Sequence, residues 1–535
     1  MWIRLALLLC VVFSSCSKKE KIISKQVVRM NLQSEIPSLD PRKARDLSSG
    51  VVLRMLFEGL MRSSKEGGIE PSLAERYEIS EDGLQYTFFL KNTKWSDGEI
   101  LTASDFVYSW KMILDPEFPT DIAYHLYPIK NARRAKMNEV PLHEIGVSMK
   151  DPFTLVVELE QPTPYFLELL TMPPFFPVPE HIATKNSNWA LESSSMVSNG
   201  PFQMSLWDHA DQISLIKNLG YWESHETKLD GIDLIVASSD TGLRMFEENK
   251  LDWAGSPLST IPTDAIAALQ SEQKFQSAPF LATSFCRVNV VEQIGNKKNP
   301  LSNRSFRQAL AVSLDRSAIV EHLLRGGQRI AKSLVPSVMK LNEQGYFSDN
   351  SPEEGIKLLA LAKEEFGEEM GPIVISYCNN SERNTLVVQA LQKQWEERLN
   401  IEVEIEAVDP KVYFQRVAKK EYQLGLGSWM ADFNDPINFL EIFKYKDNGT
   451  NNTNWENPEY IDFLNHSGLC KDLEERSQVL RKAEELLMTE MPIIPIYQFA
   501  LNYVKNEDLT GVFLSPQGHL DLRLASFESK HKSRQ

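Results

Sequence analysis

"PIVISY" (Pro372–Tyr377), "NTLVVQALQKQWEERL" (Asn384–Leu399) and "IEVEIEAV" (Ile401–Val408) follow one another with only short breaks. The outer two are rich in β-branched residues and read as strands. The middle one carries apolar residues at helical spacing. Strand, helix and strand in that order make a β-α-β unit, which implies a parallel pair joined by a right-handed crossover. The expected fold class is therefore α/β.

Working outward, the same signals recur. Gln26–Leu32, Leu84–Lys91, Ile213–Asn218 and Ile232–Ala237 read as strands, and Asp151–Leu159 as a turn and a strand. Ser48–Arg62, Thr102–Leu114, Asn303–Leu324 and Leu473–Met491 read as helices, the second capped by Thr102 or Ser104. Pro492 stops the last helix, and "IIPIYQ" leads into a closing strand. The whole is mixed α/β with several sheets. No solenoid-length repeat and no low-complexity linker divides it.

A chain of 535 residues is too long for one core, so two or three domains are expected. Hydrophobic and charged contents of 42% and 24% suit a folded chain. The net charge of −16, with no basic stripe, argues against nucleic acid as a partner. HExxH, GxSxG and phosphate-loop motifs are missing, so the chain does not read as an enzyme. The nine histidines show no ligand spacing; no metal and no cofactor is expected.

The N-terminus reads separately. A charge at Arg4, an apolar run Leu5–Phe13 and small residues before Cys16 form a secretory signal over residues 1–15. The run is too short to span a bilayer. "FSSC" resembles a bacterial lipobox, which makes Cys16 the expected lipidation site and residues 16–25 a polar tether. Cys286, Cys378 and Cys470 then remain, enough for at most one intramolecular disulfide. They contain no CxxC and are read as structural.

"SWMADFNDPINFL" (Ser428–Leu440) poses a chemical question, because Asp432 and Asp435 sit among aromatic and aliphatic residues. A carboxylate in apolar surroundings needs a partner: a neighbour, a metal, or a cation from outside. Asp435 precedes Pro436 and reads as a helix cap. Asp432 reads as a cap, an internal salt-bridge partner or a ligand contact, and Trp429 as core packing or a pocket wall.

Together with "EIPSLDPRKARD" (Glu35–Asp46), "LFEGL" (Leu56–Leu60), "WSDGEILTASDFVYSW" (Trp95–Trp110), "SNGPFQ" (Ser198–Gln203), "NRSFRQALAVSLDRSAIV", "NNTNWENPEY" (Asn451–Tyr460) and "RKAEELLMTEMPIIPIYQ" (Arg481–Gln498), this stretch resembles the extracytoplasmic solute-binding proteins of peptide ABC importers, closest to the oligopeptide binders. The likeness runs from about Val27 to Leu524. It implies a three-domain, two-lobed periplasmic-binding-protein fold with mixed sheets and a hinged interlobe cleft. Domain I would take residues 26–61, 194–283 and 499–535, domain II 62–193, and domain III 284–498. Segments near Ser284–Asn289 and Pro495–Phe499 would form the hinge.

By the same resemblance, the chain would be a lipid-anchored, monomeric, periplasmic or extracytoplasmic receptor. It would bind extended oligopeptides and deliver them to membrane permease and ATPase subunits. Murein peptides, dipeptides or another small solute are the alternative. Asp432 would hold the ligand ammonium and Trp429 would wall a side-chain pocket, with Arg45 a further contact. Where some relatives carry a basic residue for the ligand carboxylate, this chain has Leu426. Most of the other motifs read as scaffold: "SDG" and "NGPF" as turns, and Asp105 and Asp315 as caps or buried hydrogen-bond residues.

Overall fold

The computed structural model describes residues 26–65, 68–367 and 370–528. The expected leader, Cys16 and its tether lie outside the described residues.

The β-α-β unit forms as its pattern predicts. Ile373–Cys378 pairs in parallel with Val403–Val408, and the helix Glu382–Leu399 connects them. That helix buries Val387, Leu391, Trp395 and Leu399, four residues apart, so a single stripe faces the sheet. Trp395 Nε1 donates to the Leu310 carbonyl at 2.9 Å, which satisfies the one polar atom in the stripe. Asn400 ends the helix in the left-handed region, at φ 51°, a conformation asparagine tolerates.

This unit is one edge of an eleven-stranded mixed sheet. Its order is Val403–Val408, Ile373–Cys378, Leu424–Met430, Gln276–Val288, Ile493–Lys505, Trp253–Gly255, Val27–Leu32, Gly231–Val236, Gln212–Lys217 and Phe202–Asp208, with Arg329–Ile330 paired beside Ile493–Lys505. The two central strands are each 13 residues long and run antiparallel to each other. They join the β-α-β half of the sheet to the half containing Val27–Leu32. Their pairing slips between Pro279 and Thr283 and again between Ser284 and Phe285. Such bulges bend a ribbon and increase its twist.

A separate four-stranded antiparallel sheet, Ala74–Ile79, Gln85–Leu90, Thr154–Glu158 and Val147–Asp151, is built wholly from the segment between Met61 and Phe202. The helix Ala103–Leu114 packs on it, opened by a capping box in which the Asp105 side chain accepts from Thr102 N at 2.9 Å.

Two expected helices are shorter than their patterns suggest. Leu47–Leu56 stops six residues before Arg62, because Asn199 captures the next peptide: it accepts from Glu58 N at 3.2 Å and donates to the Glu58 carbonyl at 3.0 Å. The "SNGPFQ" motif is thus more than a turn, since its asparagine terminates a distant helix. The Asn303–Leu324 pattern divides at extended Leu314 into Arg304–Ser313 and a second segment beginning at Arg316. Asp315 caps that second segment by accepting from Ala318 N at 2.9 Å. A local side-chain bond of this kind outcompetes helix continuation.

Candidate ligand cleft

The strand Leu424–Met430 pairs with Gln276–Val288, placing Trp429 opposite Thr283. Beyond Met430 the chain leaves the sheet, with Ala431 N donating to Leu281 O at 2.8 Å, and loops to the short helix Ile437–Leu440. Asn438 on that helix organises the loop. Its Oδ1 accepts from Trp429 Nε1 at 2.9 Å and from Asp432 N at 3.3 Å. The indole of Trp429 and the backbone of Asp432 are therefore held by one atom.

The two aspartates have different fates. Asp435 Oδ1 accepts from Ile437 N at 2.9 Å, the cap that its position before Pro436 predicts. Its carboxylate is also gripped by the Arg476 guanidinium at 2.7 and 2.8 Å. This fork geometry is the strongest form of the carboxylate–arginine contact. Asp432 has no salt bridge among the described residues. It is half-buried, so water reaches it, yet burial raises its carboxyl to about 6, offset in part by Asn438.

A second wall, from the segment carrying the small sheet, faces this loop. Tyr165 stacks on Phe433 with ring centroids 5.1 Å apart and planes within 8°. The Arg476 guanidinium carbon lies 5.9 Å from the Tyr165 ring centre. Burial, then the charge of Asp432, raises the Tyr124 hydroxyl above its ordinary range. Glu168, three residues beyond Tyr165, is pushed up to about 7 by burial and by the charge of Asp435. Burial also raises Glu441. The space between these walls thus concentrates carboxyls; among the described residues beside them, Arg476 is committed to Asp435 and Lys444 lies 3.9 Å from Glu441.

The remaining sequence candidates lie as follows. Arg45 pairs with Asp121 at 2.8 Å, with side chains 71% and 79% exposed, an exposed ion pair. Leu426 is buried, and its carbonyl accepts the Tyr413 hydroxyl. Arg416 pairs with Glu406. Cys286, Cys378 and Cys470 are free thiols, all buried, and burial pushes Cys286 up to about 12. Among the described residues there is a convergence that spacing left unnoticed: His466, Cys470 and Glu475 bring their ligand atoms within 4.8 Å of one another. Sequence reading also missed Asn438, Tyr124, Tyr165, Glu168 and Arg476. Only Asn438 lies in the quoted stretch; nothing local marks the others.

A mixed sheet crossed by two long strands, with a smaller sheet inserted and a recess between opposed walls, is a two-lobed binding-protein fold. The chain belongs to the bacterial extracellular solute-binding proteins, family 5, whose sequence profile matches residues 68–451. It is 37% identical to the oligopeptide-binding protein OppA of Bacillus subtilis over 98% of this chain and 99% of that one. Among solved structures it is similar to the unliganded open form of the periplasmic murein tripeptide binding protein MppA, at TM-score 0.80 and 25% identity, covering 94% of this chain and 98% of that one. It is also similar to the periplasmic oligopeptide-binding protein OppAIV of Borrelia burgdorferi, at TM-score 0.78 and 27% identity over 94% and 100% of the two chains. No helix among the described residues is long and apolar enough to cross a membrane.

Proposed function

We propose that the recess binds peptides in extended form, with Asp432 pairing with the N-terminal ammonium and Trp429 walling a side-chain pocket. The observation that carries this reading is the contrast within one loop: Asp435 has an arginine, and Asp432 has no cation among the described residues while burial disfavours its charge. A partly buried carboxylate, on a loop whose backbone is fixed by the bond from Asp432 N to Asn438 Oδ1, is organised for a cation that arrives from solution. The oligopeptide binders among the relatives support peptide as that cation's carrier. Extended peptide backbone offers hydrogen bonds that do not depend on sequence, and waters adapt to its side chains.

In this reading the protein is a non-catalytic receptor that works as a monomer and hands its ligand to ABC importer permease and ATPase subunits. Cys16 carries the lipid that tethers it outside the cytoplasm. Domain I takes residues 26–61, 194–283 and 499–535, domain II 62–193 and domain III 284–498. The lobes close by hinge rotation at Ser284–Asn289 and Pro495–Phe499, where the bulged pairing of the long strands supports bending. Arg45 at the cleft border is a weaker ligand candidate, since Asp121 already partners it.

The test compares a peptide with its N-acetylated twin by titration calorimetry. The free amine is expected to bind more tightly by about 1.5–5 kcal/mol, the range for losing one partner of a close charge pair. Equal affinities would remove Asp432 from this role.

A further inference from the structure

The twelve-residue helix Pro458–Leu469 ends where the helix Leu473–Glu490 begins, and the corner between them gathers a second set of chemistry-bearing side chains. His466 and Cys470 are four residues apart, one turn along the first helix and at its cap. Glu475 comes from the first turn of the second helix. Imidazole nitrogen, sulfur and carboxylate oxygen all lie within 4.8 Å of one another. His466 Nε2 is 3.8 Å from Glu475 Oε1, and Cys470 Sγ sits 3.4 Å from the His466 carbonyl oxygen.

We propose that His466, Cys470 and Glu475 form a binding site for a borderline divalent transition ion of the zinc type, with water completing four-coordination. Three features of the corner favour it. Tetrahedral bonds of ~2.0–2.3 Å place ligand atoms ~3.3–3.8 Å apart, so small rotations of the exposed His466 and Glu475 close the remaining gap. The donor set of one thiolate, one imidazole and one carboxylate suits a borderline ion better than calcium or magnesium, which prefer oxygen alone. The neighbouring cations are committed elsewhere: Lys471 Nζ donates to the Glu81 carbonyl at 3.2 Å, and Arg476 holds Asp435. Asp472 is also occupied, accepting from Glu475 N at 2.8 Å as the helix cap. On binding, the Cys470 thiol releases its proton to bulk water as the sulfur–metal bond forms. The thiolate and Glu475 then neutralise the ion's two charges.

Cobalt(II) is the probe of choice, because thiolate ligation produces a sulfur-to-cobalt charge-transfer absorption. The full-length protein is expected to take up one Co2+ per chain with that absorption, and Cys470→Ser to lose it. Zn2+ affinity, read by competition with a chromophoric chelator, is expected to fall about tenfold or more in Cys470→Ser and in Glu475→Gln. Should Cys470→Ser fail to fold by circular dichroism, Glu475→Gln and His466→Gln carry the same tenfold criterion on exposed side chains. An absorption that persists in Cys470→Ser, or Zn2+ affinity within twofold of the parent in the variants that fold, overturns the site.

Discussion

Arg476 grips Asp435 with two hydrogen bonds of 2.7 and 2.8 Å, and both side chains are at most 12% exposed. The pair joins the cleft loop to the helix Leu473–Glu490. It also leaves Asp432, three residues earlier, as the loop's carboxylate without a salt bridge among the described residues.

Removing either member of that pair strands a buried charge. Arg476→Met is expected to cost about 3–5 kcal/mol of folding stability, measured by denaturant titration. Asp435→Asn combined with Arg476→Met should recover part of the loss, because no ion is then left unpaired. A double variant less stable than Arg476→Met alone would contradict the pairing.

Asp432→Asn should act in opposite directions on binding and on stability. Peptide affinity falls. The ligand-free protein becomes more stable near pH 7, by about 1 kcal/mol once partial exposure is allowed for. The sign follows from a folded-state carboxyl at about 6, above its ordinary value. A native state that prefers the proton loses stability as pH rises through the interval between the ordinary value and about 6. The difference between parent and variant should therefore shrink toward pH 4. A variant destabilised at pH 7 would show that Asp432 is already paired within the protein.

Binding should have its own pH profile. Below pH 6 the Asp432 carboxyl must give up a proton before it can meet an ammonium, so affinity is expected to drop about tenfold per pH unit on the acid side. Above about pH 8 affinity should fall again, as the peptide amine, ordinarily near 7.7–8.0, loses its charge. Glu168 and Glu441 titrate in the same recess, and calorimetry on Asp432→Asn separates them. An acid limb that survives in that variant belongs to the glutamates.

The Tyr165–Phe433 stack bridges the two walls. Offset aromatic pairs are worth about 0.5–1.5 kcal/mol beyond their area, so Tyr165→Ala should weaken peptide affinity by roughly 3- to 10-fold. Small-angle scattering of the liganded variant should report a larger radius than the parent. Unchanged affinity and radius would mean that the stack does not contribute to closure.

What the sequence determined by itself is what depends on near neighbours. The β-α-β unit at Ile373–Val408 was legible because a stripe every four residues and a run of β-branched residues act within one element. The Asp435 cap was legible because Pro436 follows it directly. Local signals failed where a distant side chain intervened, as when Asn199 ended the Leu47–Leu56 helix. Tertiary structure alone decided which aspartate would be neutralised. Arg476 lies 41 residues beyond Asp435, and Tyr165 belongs to the segment that carries the other sheet. The physical reason is that a charge's fate depends on what packs within a few ångströms of it, and folding sets that distance without regard to separation along the chain.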